Sequence, residues 1–154
     1  MKPRLLCGDV HSFDNSRPFS IMDSMIFGVG TDIIEVGRVE QKLARTEGLK
    51  KKVFTETERA YCESKHRPAL HYAARFAAKE AFLKAMGTGW SGGHKFDEIG
   101  VVNDALGKPE LFVHGTVREF CGARGITRMS VSLSHIKEMA TAVVVLEMNP
   151  SSCE

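Results

Sequence analysis

The chain has 154 residues, of which 43% are hydrophobic and 26% are charged, and its formal net charge is +2. This length favours a single domain with its own core, since domains commonly span roughly 100–200 residues. The small net charge gives no reason by itself to expect a nucleic-acid partner, and no apolar run reaches the roughly 18 residues that a membrane helix requires.

The first 24 residues have no hydrophobic period and lack the apolar core that a secretory signal needs. We expect residues 1–24 to form a disordered N-terminal extension, and Met25, where the patterned sequence opens, could be the natural start. The structured domain is predicted over residues 25–148 and is followed by a C-terminal tail at 149–154.

Helical patterns dominate the first half of the chain. After a short apolar strand, MIFGVG, the segment VGRVEQKLAR repeats apolar residues at helical spacing. Thr55 and Glu58 form a capping-box pattern that opens a second helix, FTETERAYCESK. The longest helix is predicted to begin at Pro68 and to end at Gly87.

Strand patterns dominate the second half. The segments FDEIGVV, NDALGKP and ELFVH predict a strand, a turn and a strand, and TVREFCGARG predicts a short helix. Two segments rich in β-branched residues, MSVSLS and TAVVVLEM, predict two further strands, and the segment HIKEMA links them. Together these patterns predict an α+β fold, with helices packed on a mainly antiparallel sheet.

Four cysteines are scattered without CxxC spacing: Cys7, Cys62, Cys121 and Cys153. This argues against a zinc site or a disulfide framework and favours a reducing, cytoplasmic location.

The longest helix carries small and charged residues on different faces. One face would let another element approach closely, because its residues are Ala77, Ala78, Ala81 and Ala85. Glu80 and Lys84 lie one turn apart on a second stripe, and Arg75 and Lys79 form a third. Spacing alone leaves two interpretations open for Glu80 and Lys84. They are either an ordinary i,i+4 ion pair, or a site in which Glu80 binds Mg²⁺ and Lys84 binds a phosphate.

A magnesium site usually draws one or two carboxylates, with water and phosphate completing the octahedron. Asp32, just after the first predicted strand, is the candidate for the second carboxylate. The other interpretation makes Asp32 a helix N-cap, with Glu35 as its reciprocal partner.

Five segments, in this order and spacing, resemble the holo-[acyl-carrier-protein] synthases, the short type of 4′-phosphopantetheinyl transferase: GVGTDIIEVGRV, FTETE, RFAAKEAFLKAMGTG, NDALGKP and SLSH. The resemblance covers Met25 to about Met148. It implies transfer of the phosphopantetheine arm of coenzyme A to a serine of apo acyl carrier protein, with adenosine 3′,5′-bisphosphate as the second product. It also implies Mg²⁺ as cofactor, a role in fatty acid biosynthesis, and a homotrimer with active sites between subunits.

The same resemblance implies residue roles. Asp32 and Glu80 match the two metal-binding carboxylates, Lys84 matches the lysine near the reacting phosphate, and these three are the expected catalytic residues. Either Glu80 or a metal-bound water held by Asp32 could accept the serine proton. Contacts to coenzyme A are implied for Arg75, Lys84, Gly87, Pro109 and His135. Some relatives have a threonine where this chain has Ile136, so one hydroxyl contact to the nucleotide would be missing.

A basic stripe is predicted on the first helix, where Arg38, Lys42 and Arg45 fall at i, i+4 and i+7. From the sequence alone this is either a solvated face or a docking surface for an acidic partner. In the resembled family this helix docks the carrier protein. Arg38 matches a docking arginine, whereas Lys42 stands where a relative has an apolar residue.

Two other classes of function stay open at the level of the residues. One is a non-catalytic module that binds an acidic partner through the basic stripe, or RNA through Lys50 to Lys52, although no aromatics interleave that run. The other is a magnesium-dependent hydrolase of nucleotide diphosphates.

His66 and His71 are five apart, a poor spacing for metal binding, and we expect them to be surface or packing histidines.

Overall fold

The computed structural model describes residues 24–89 and 93–149. The predicted N-terminal extension and C-terminal tail lie outside these ranges except for Ser24 and Asn149. The elements in chain order are β1 (Met25–Glu35), α1 (Val36–Arg45), α2 (Leu49–Val53), α3 (Glu56–Glu63), α4 (Pro68–Met86), β2 (Ile99–Asn103), β3 (Pro109–Val113), α5 (Gly115–Ala123), β4 (Ile126–His135) and β5 (Met139–Met148). A 3₁₀ turn at Phe96–Glu98 precedes β2.

The α+β class and the antiparallel pairing are confirmed, but the strands in the described part of the chain form two sheets. Strands β1, β5 and β4 make a three-stranded sheet in the order β1-β5-β4, while β2 and β3 pair as a separate hairpin. Every pair of neighbouring strands is antiparallel. In the described ranges no helix is both long and apolar enough to cross a bilayer.

Helix α4 packs directly on the three-stranded sheet, as its small residues predict. Ala77, Ala78 and Ala81 are fully buried. Across the contact, β1 also presents glycine: a Cβ added at Gly30 would lie 1.9 Å from the carbonyl oxygen of Ala81. Small residues on both surfaces therefore bring the backbones of α4 and β1 together, which fixes the side chains of α4 relative to those of β1.

The capping box at the start of α3 is confirmed, and Glu58 does more than cap. The Glu58 backbone N–H donates to the Thr55 hydroxyl at 3.2 Å, and the Glu58 carboxylate accepts from the Thr55 backbone N–H at 2.9 Å. The same carboxylate accepts from the Lys79 ammonium at 2.8 Å and from the Val101 N–H at 3.1 Å.

Lys79 is therefore a structural residue, and the polar stripe that it was predicted to form with Arg75 lies inside the fold, where Lys79 is not available to bind a phosphate. Its side chain is 0% exposed. Besides Glu58 it donates to the backbone carbonyls of Phe96 and Ile99. The ion pair thus ties α3, α4 and the start of β2 together from inside.

Several element bounds differ from those expected. Strand β1 runs on to Glu35, and the short helix α2 was not predicted, because five residues of LKKKV are too few to display a helical period. Strands β4 and β5 extend into the predicted linker HIKEMA, which leaves residues 136–138 as the connection.

Cys62 and Cys121 are free and buried, and burial raises the pKa of the Cys62 thiol to about 12. Cys7 and Cys153 lie outside the described residues.

Candidate active site

A cleft of about 400 Å³ lies where β1, α1, α2 and α4 meet. Asp32 and Glu80 line it, so the two carboxylates expected to form a metal site share one cavity although they are far apart in sequence. Arg38 and Lys42 of α1 also line the cleft. Its apolar wall includes Val39, Leu43, Val53, Phe54 and Phe76.

Asp32 lies inside β1, opposite Ala142 of β5. Side chains alternate along a strand, so Asp32 faces the same side as Gly30, toward α4. The N-cap interpretation of Asp32 is wrong, because α1 begins only at Val36. The residue at its N-cap is Glu35, which makes no capping bond with its side chain.

Lys84 joins the two elements that carry the carboxylates. Its ammonium group donates to Asp32 Oδ1 at 2.8 Å and to the backbone carbonyl of Thr31 at 3.0 Å. The Asp32 side chain is 15% exposed and that of Lys84 is 52% exposed. Lys84 lies one turn after Glu80 on α4 and contacts Asp32, so a cation lies beside the two carboxylates of the cleft.

Arg75 occupies a different part of α4. The residue is only 2% exposed, and its guanidinium group lies 4.0 Å from the ring centroid of Tyr61. One terminal nitrogen donates to Asn103 Oδ1 at 2.7 Å. Pro109 lies directly opposite Asn103 in the β2–β3 hairpin, so the structure places Arg75 and Pro109 in the same neighbourhood.

His135 ends β4 and is exposed, and its ring lies beside that of His71, with centroids 6.0 Å apart. His71 is half-buried and makes a second edge contact with Tyr61, at 5.6 Å. These contacts agree with the prediction of a packing histidine at position 71. The sequence does contain a sign that His71 and Arg75 lie together: their i,i+4 spacing puts both side chains on one face of α4. His66 is exposed, in keeping with the expectation.

The residues expected to contact coenzyme A fall into two groups within one chain. Gly87 caps the C-terminus of α4 in the left-handed conformation, with φ of 73°. At about 1.5 Å of rise per residue, it lies about 18 Å along the helix axis from Arg75. Gly87 therefore belongs to the end of α4 that carries Lys84, whereas Arg75, Pro109 and His135 lie toward the other end.

The donor set fits a hard cation. No group of three or more histidine, cysteine, aspartate or glutamate residues with metal-binding geometry exists in the described part of the chain. Asp32 and Glu80 offer only carboxylate oxygens, and a two-carboxylate site is what Mg²⁺ commonly uses when water and substrate phosphate supply the other ligands.

The basic stripe of α1 is exposed as predicted: Arg38, Lys42 and Arg45 all face solvent, and Val36 and Val39 are buried on the opposite side. Because Arg38 and Lys42 also border the cleft, a partner on this stripe would reach the two carboxylates.

Comparison with known proteins assigns the chain to a family. Residues 28–143 match the model of the 4′-phosphopantetheinyl transferase superfamily. The holo-[acyl-carrier-protein] synthase of Geotalea daltonii is 44% identical over 124 residues, which cover 80% of this chain and 99% of that protein. The holo-[acyl-carrier-protein] synthase of Geobacter sp. strain M21 is 47% identical over 124 residues, and the match covers 80% of this chain and 99% of that protein.

The chain belongs to the holo-[acyl-carrier-protein] synthases.

Solved structures of the synthase family share the fold. The synthase from Neisseria meningitidis superposes with a TM-score of 0.73 at 38% identity, over 80% of this chain and 99% of that one. The synthase from Bacillus anthracis, solved in complex with CoA (3′,5′-ADP), superposes with a TM-score of 0.67 at 38% identity, over 81% and 99%. This synthase is therefore a phosphopantetheinyl transferase, and the interpretations as a non-catalytic module or a nucleotide hydrolase are set aside.

Proposed function

We propose that this synthase moves the 4′-phosphopantetheine arm of coenzyme A to a serine of an apo acyl carrier protein, with Mg²⁺ as cofactor, in the cytoplasm and in support of fatty acid biosynthesis. The general reaction follows from the family. The observation that carries the proposal for this chain is the shared cleft of Asp32 and Glu80, with the Lys84 ammonium group 2.8 Å from Asp32.

Asp32 and Glu80 would hold the metal through their carboxylate oxygens. When bound, Mg²⁺ would offset the negative charge of the diphosphate and stabilise the charge that develops during transfer. Lys84, whose ammonium group contacts Asp32, would bind a phosphate oxygen as a point charge on a flexible stem. Phosphoryl transfer depends mainly on positioning and electrostatic stabilisation, and these three side chains supply both.

The attacking serine hydroxyl must lose its proton within the cleft. Two acceptors are compatible with the residues: the Glu80 carboxylate, or a water held by Asp32. Both sit where a carrier on the basic stripe would deliver its serine, since Arg38 and Lys42 border the same cavity.

Coenzyme A recognition is assigned to Arg75, His135, Pro109 and Gly87, with Lys84 at the diphosphate. The support comes from relatives, because the synthase of Helicobacter pylori was solved in complex with coenzyme A and that of Bacillus anthracis in complex with CoA (3′,5′-ADP). Within this chain, Asn103 and Tyr61 hold the guanidinium group of Arg75 in place.

A homotrimer with active sites between subunits accounts for two observations. The sheet face turned away from α4 presents apolar side chains to solvent, with Val29 58%, Ile33 65% and Val143 42% exposed. Contiguous apolar surface of this kind is typical of an interface. The separation of about 18 Å between Arg75 and Gly87 is also explained if one subunit supplies the end of α4 with Gly87 and its neighbour supplies Arg75 and His135.

We assign docking of the carrier protein to the basic stripe, which consists of Arg38, Lys42 and Arg45. Acidic partners are steered by such exposed cations, which act mainly on the rate of encounter. Lys42 takes the place of an apolar contact, so we expect docking to depend more on charge than on hydrophobic contact.

The test is to incubate the full chain with coenzyme A, Mg²⁺ and an apo carrier, and to follow the mass of the carrier and the nucleotide product. We expect the carrier to gain one phosphopantetheine while adenosine 3′,5′-bisphosphate accumulates in equal amount, and we expect chelation of the metal to stop both. Nucleotide cleavage without modification of the carrier, or full activity in excess chelator, would overturn the proposal.

A further inference from the structure

Arg75 is a buried cation whose hydrogen-bond and ring partners within the described ranges are uncharged. Its guanidinium group donates to Asn103 Oδ1 and, at 3.5 Å, to the backbone carbonyl of His71, and it lies over the Tyr61 ring. No carboxylate among residues 24–89 and 93–149 forms a salt bridge with it. Its Nε is buried without a hydrogen-bond partner in those ranges. Because a buried charge is costly unless paired, the guanidinium group of Arg75 favours an anion supplied from outside the fold.

Two histidines, His71 and His135, lie beside Arg75 and Tyr61, and these four residues form a cluster. The His71 ring lies between Tyr61 and His135, at centroid distances of 5.6 Å and 6.0 Å. His71 and Arg75 project from the same face of α4, one turn apart. His135 comes from the end of β4, on the side of the sheet that faces α4, since its partner across the ladder is the buried Ala140.

The groups that act on His71 are cationic or neutral. They are Tyr61 of α3, Lys65 in the segment after α3, Arg75 of α4 and His135 of β4. Burial, followed by the charges of Arg75, His135 and Lys65, lowers the pKa of His71 below its ordinary value. In the free protein His71 is therefore held neutral near pH 7, and a dianion placed among these groups would reverse that balance.

We infer that His71 is a third ligand of a phosphate monoester, beside Arg75 and His135, and takes up a proton from solvent as the phosphate binds. The inference rests on the proposed function, in which Arg75 and His135 contact coenzyme A, whose 3′-phosphate is a monoester. It adds a residue that the resemblance does not assign. It also makes the preference for coenzyme A over 3′-dephospho-coenzyme A depend on pH.

The experiment compares the affinities of the full chain for coenzyme A and for 3′-dephospho-coenzyme A by calorimetry, at about pH 6 and about pH 8, which bracket the ordinary titration of histidine. His71→Phe keeps an aromatic ring against Tyr61 but carries no proton, and His71→Gln is a second, polar variant. His66→Gln is the matched control, because His66 is an exposed histidine five residues earlier. The 3′-phosphate itself titrates near pH 6, and comparison of variants with the same ligand cancels that contribution.

We expect both His71 variants to lower the preference for coenzyme A by about tenfold at pH 6, the size of one charge-assisted hydrogen bond, and by much less at pH 8. The wild type should take up more protons on binding coenzyme A than either variant, and His66→Gln should match the wild type. If the His71 variants keep the wild-type preference at both pH values, the role of His71 is wrong and the proposed function stands. If the wild type itself shows no preference for coenzyme A, the phosphate site fails, and the coenzyme A assignments of Arg75 and His135 fail with it.

Discussion

Lys79 and Glu80 are neighbours on α4, yet the fold gives them opposite environments. Lys79 points inward to the carboxylate of Glu58, whereas Glu80 lines the cleft. Adjacent residues on a helix lie about 100° apart, so one turn can serve the core and the active site at once. A sequence pattern reveals the two stripes but not which of them is buried, because the partner of Lys79 is 21 residues away in the chain.

The buried pair of Glu58 and Lys79 should matter far more for stability than an exposed pair. Lys79→Met leaves a buried carboxylate without its cation, and we expect a loss of about 3–5 kcal/mol in the free energy of unfolding. Adding Glu58→Gln to that variant removes the uncompensated charge and should recover part of the loss. Chemical denaturation of the three proteins measures both effects.

The exposed pair of Lys50 and Glu63 is the control for that comparison. Its side chains are 44% and 50% exposed at a distance of 2.7 Å. Lys50→Met should therefore cost less than about 1 kcal/mol. An equal cost for Lys50→Met and Lys79→Met would contradict the structural role of the buried pair.

Among single residues, the sequence located Asp32, Glu80 and Lys84 correctly as neighbours, but only through the combined motifs. Asp32 illustrates the limit. Its spacing to Glu35 fits an N-cap equally well, and only the continuation of β1 to Glu35 excludes that interpretation. The contact of His71 with His135 was not predicted, because the two residues are 64 positions apart and local periodicity does not reveal such a contact.

At the scale of elements, the contact of α4 with β1 sets the geometry of the cleft. Strand β1 carries Asp32 and α4 carries Glu80 and Lys84, so any change in their separation moves one carboxylate relative to the other. The alanine face of α4 predicted this close contact. The division into two sheets was not predictable, since strand partners are chosen by long-range packing rather than by local pattern.

Gly30→Ala tests that contact. The new Cβ would lie 1.9 Å from the Ala81 carbonyl oxygen, so α4 must shift away from β1. We expect a loss of about 1–3 kcal/mol or more in stability and a clear fall in activity. Gly37→Ala in α1 is the matched control: its Cβ meets nothing within 4 Å, and replacing a helical glycine should stabilise by about 0.5–1 kcal/mol. Thermal melting of both variants checks the prediction, and a tolerated Gly30→Ala would contradict the close packing.

The basic stripe of α1 gives a second prediction at this scale. Arg38→Glu with Arg45→Glu should weaken use of the carrier and flatten its salt dependence, because exposed charges are screened within about 8 Å at physiological ionic strength. Binding of coenzyme A alone should stay within a few-fold of wild type.

The matched control reverses two exposed arginines, Arg118 of α5 and Arg124 at its C-cap, and Arg118→Glu with Arg124→Glu makes the same change in net charge. Carrier kinetics over a range of salt concentrations distinguish the two variants. If both pairs weaken the carrier equally, net charge alone explains the effect and the basic stripe is only a solvated face.

At the scale of the whole molecule, the outer face of the three-stranded sheet should be an interface between copies of the chain. Val143 lies in the middle strand of that face and is 42% exposed. If the chain forms the proposed trimer, Val143→Lys should convert it to monomers and abolish activity, because each proposed site needs residues from two subunits. Leu106→Lys, at a position that is 94% exposed in the β2–β3 turn, should leave assembly unchanged. Sedimentation measures the assembly; an unchanged trimer in Val143→Lys, or a fully active monomeric wild type, would refute the shared site.

The proposed reaction requires that Asp32 and Glu80 together hold the metal at which phosphopantetheine is transferred. The most direct measurement is the rate at which an apo carrier gains mass at saturating coenzyme A and Mg²⁺, for wild type, Asp32→Asn and Glu80→Gln, with Glu119→Gln on the exposed face of α5 as control. Each site variant should lose about 10²–10³-fold or more in rate while its melting temperature stays close to that of wild type, and Glu119→Gln should match wild type. Carrier modification at the wild-type rate by either folded site variant would contradict this requirement.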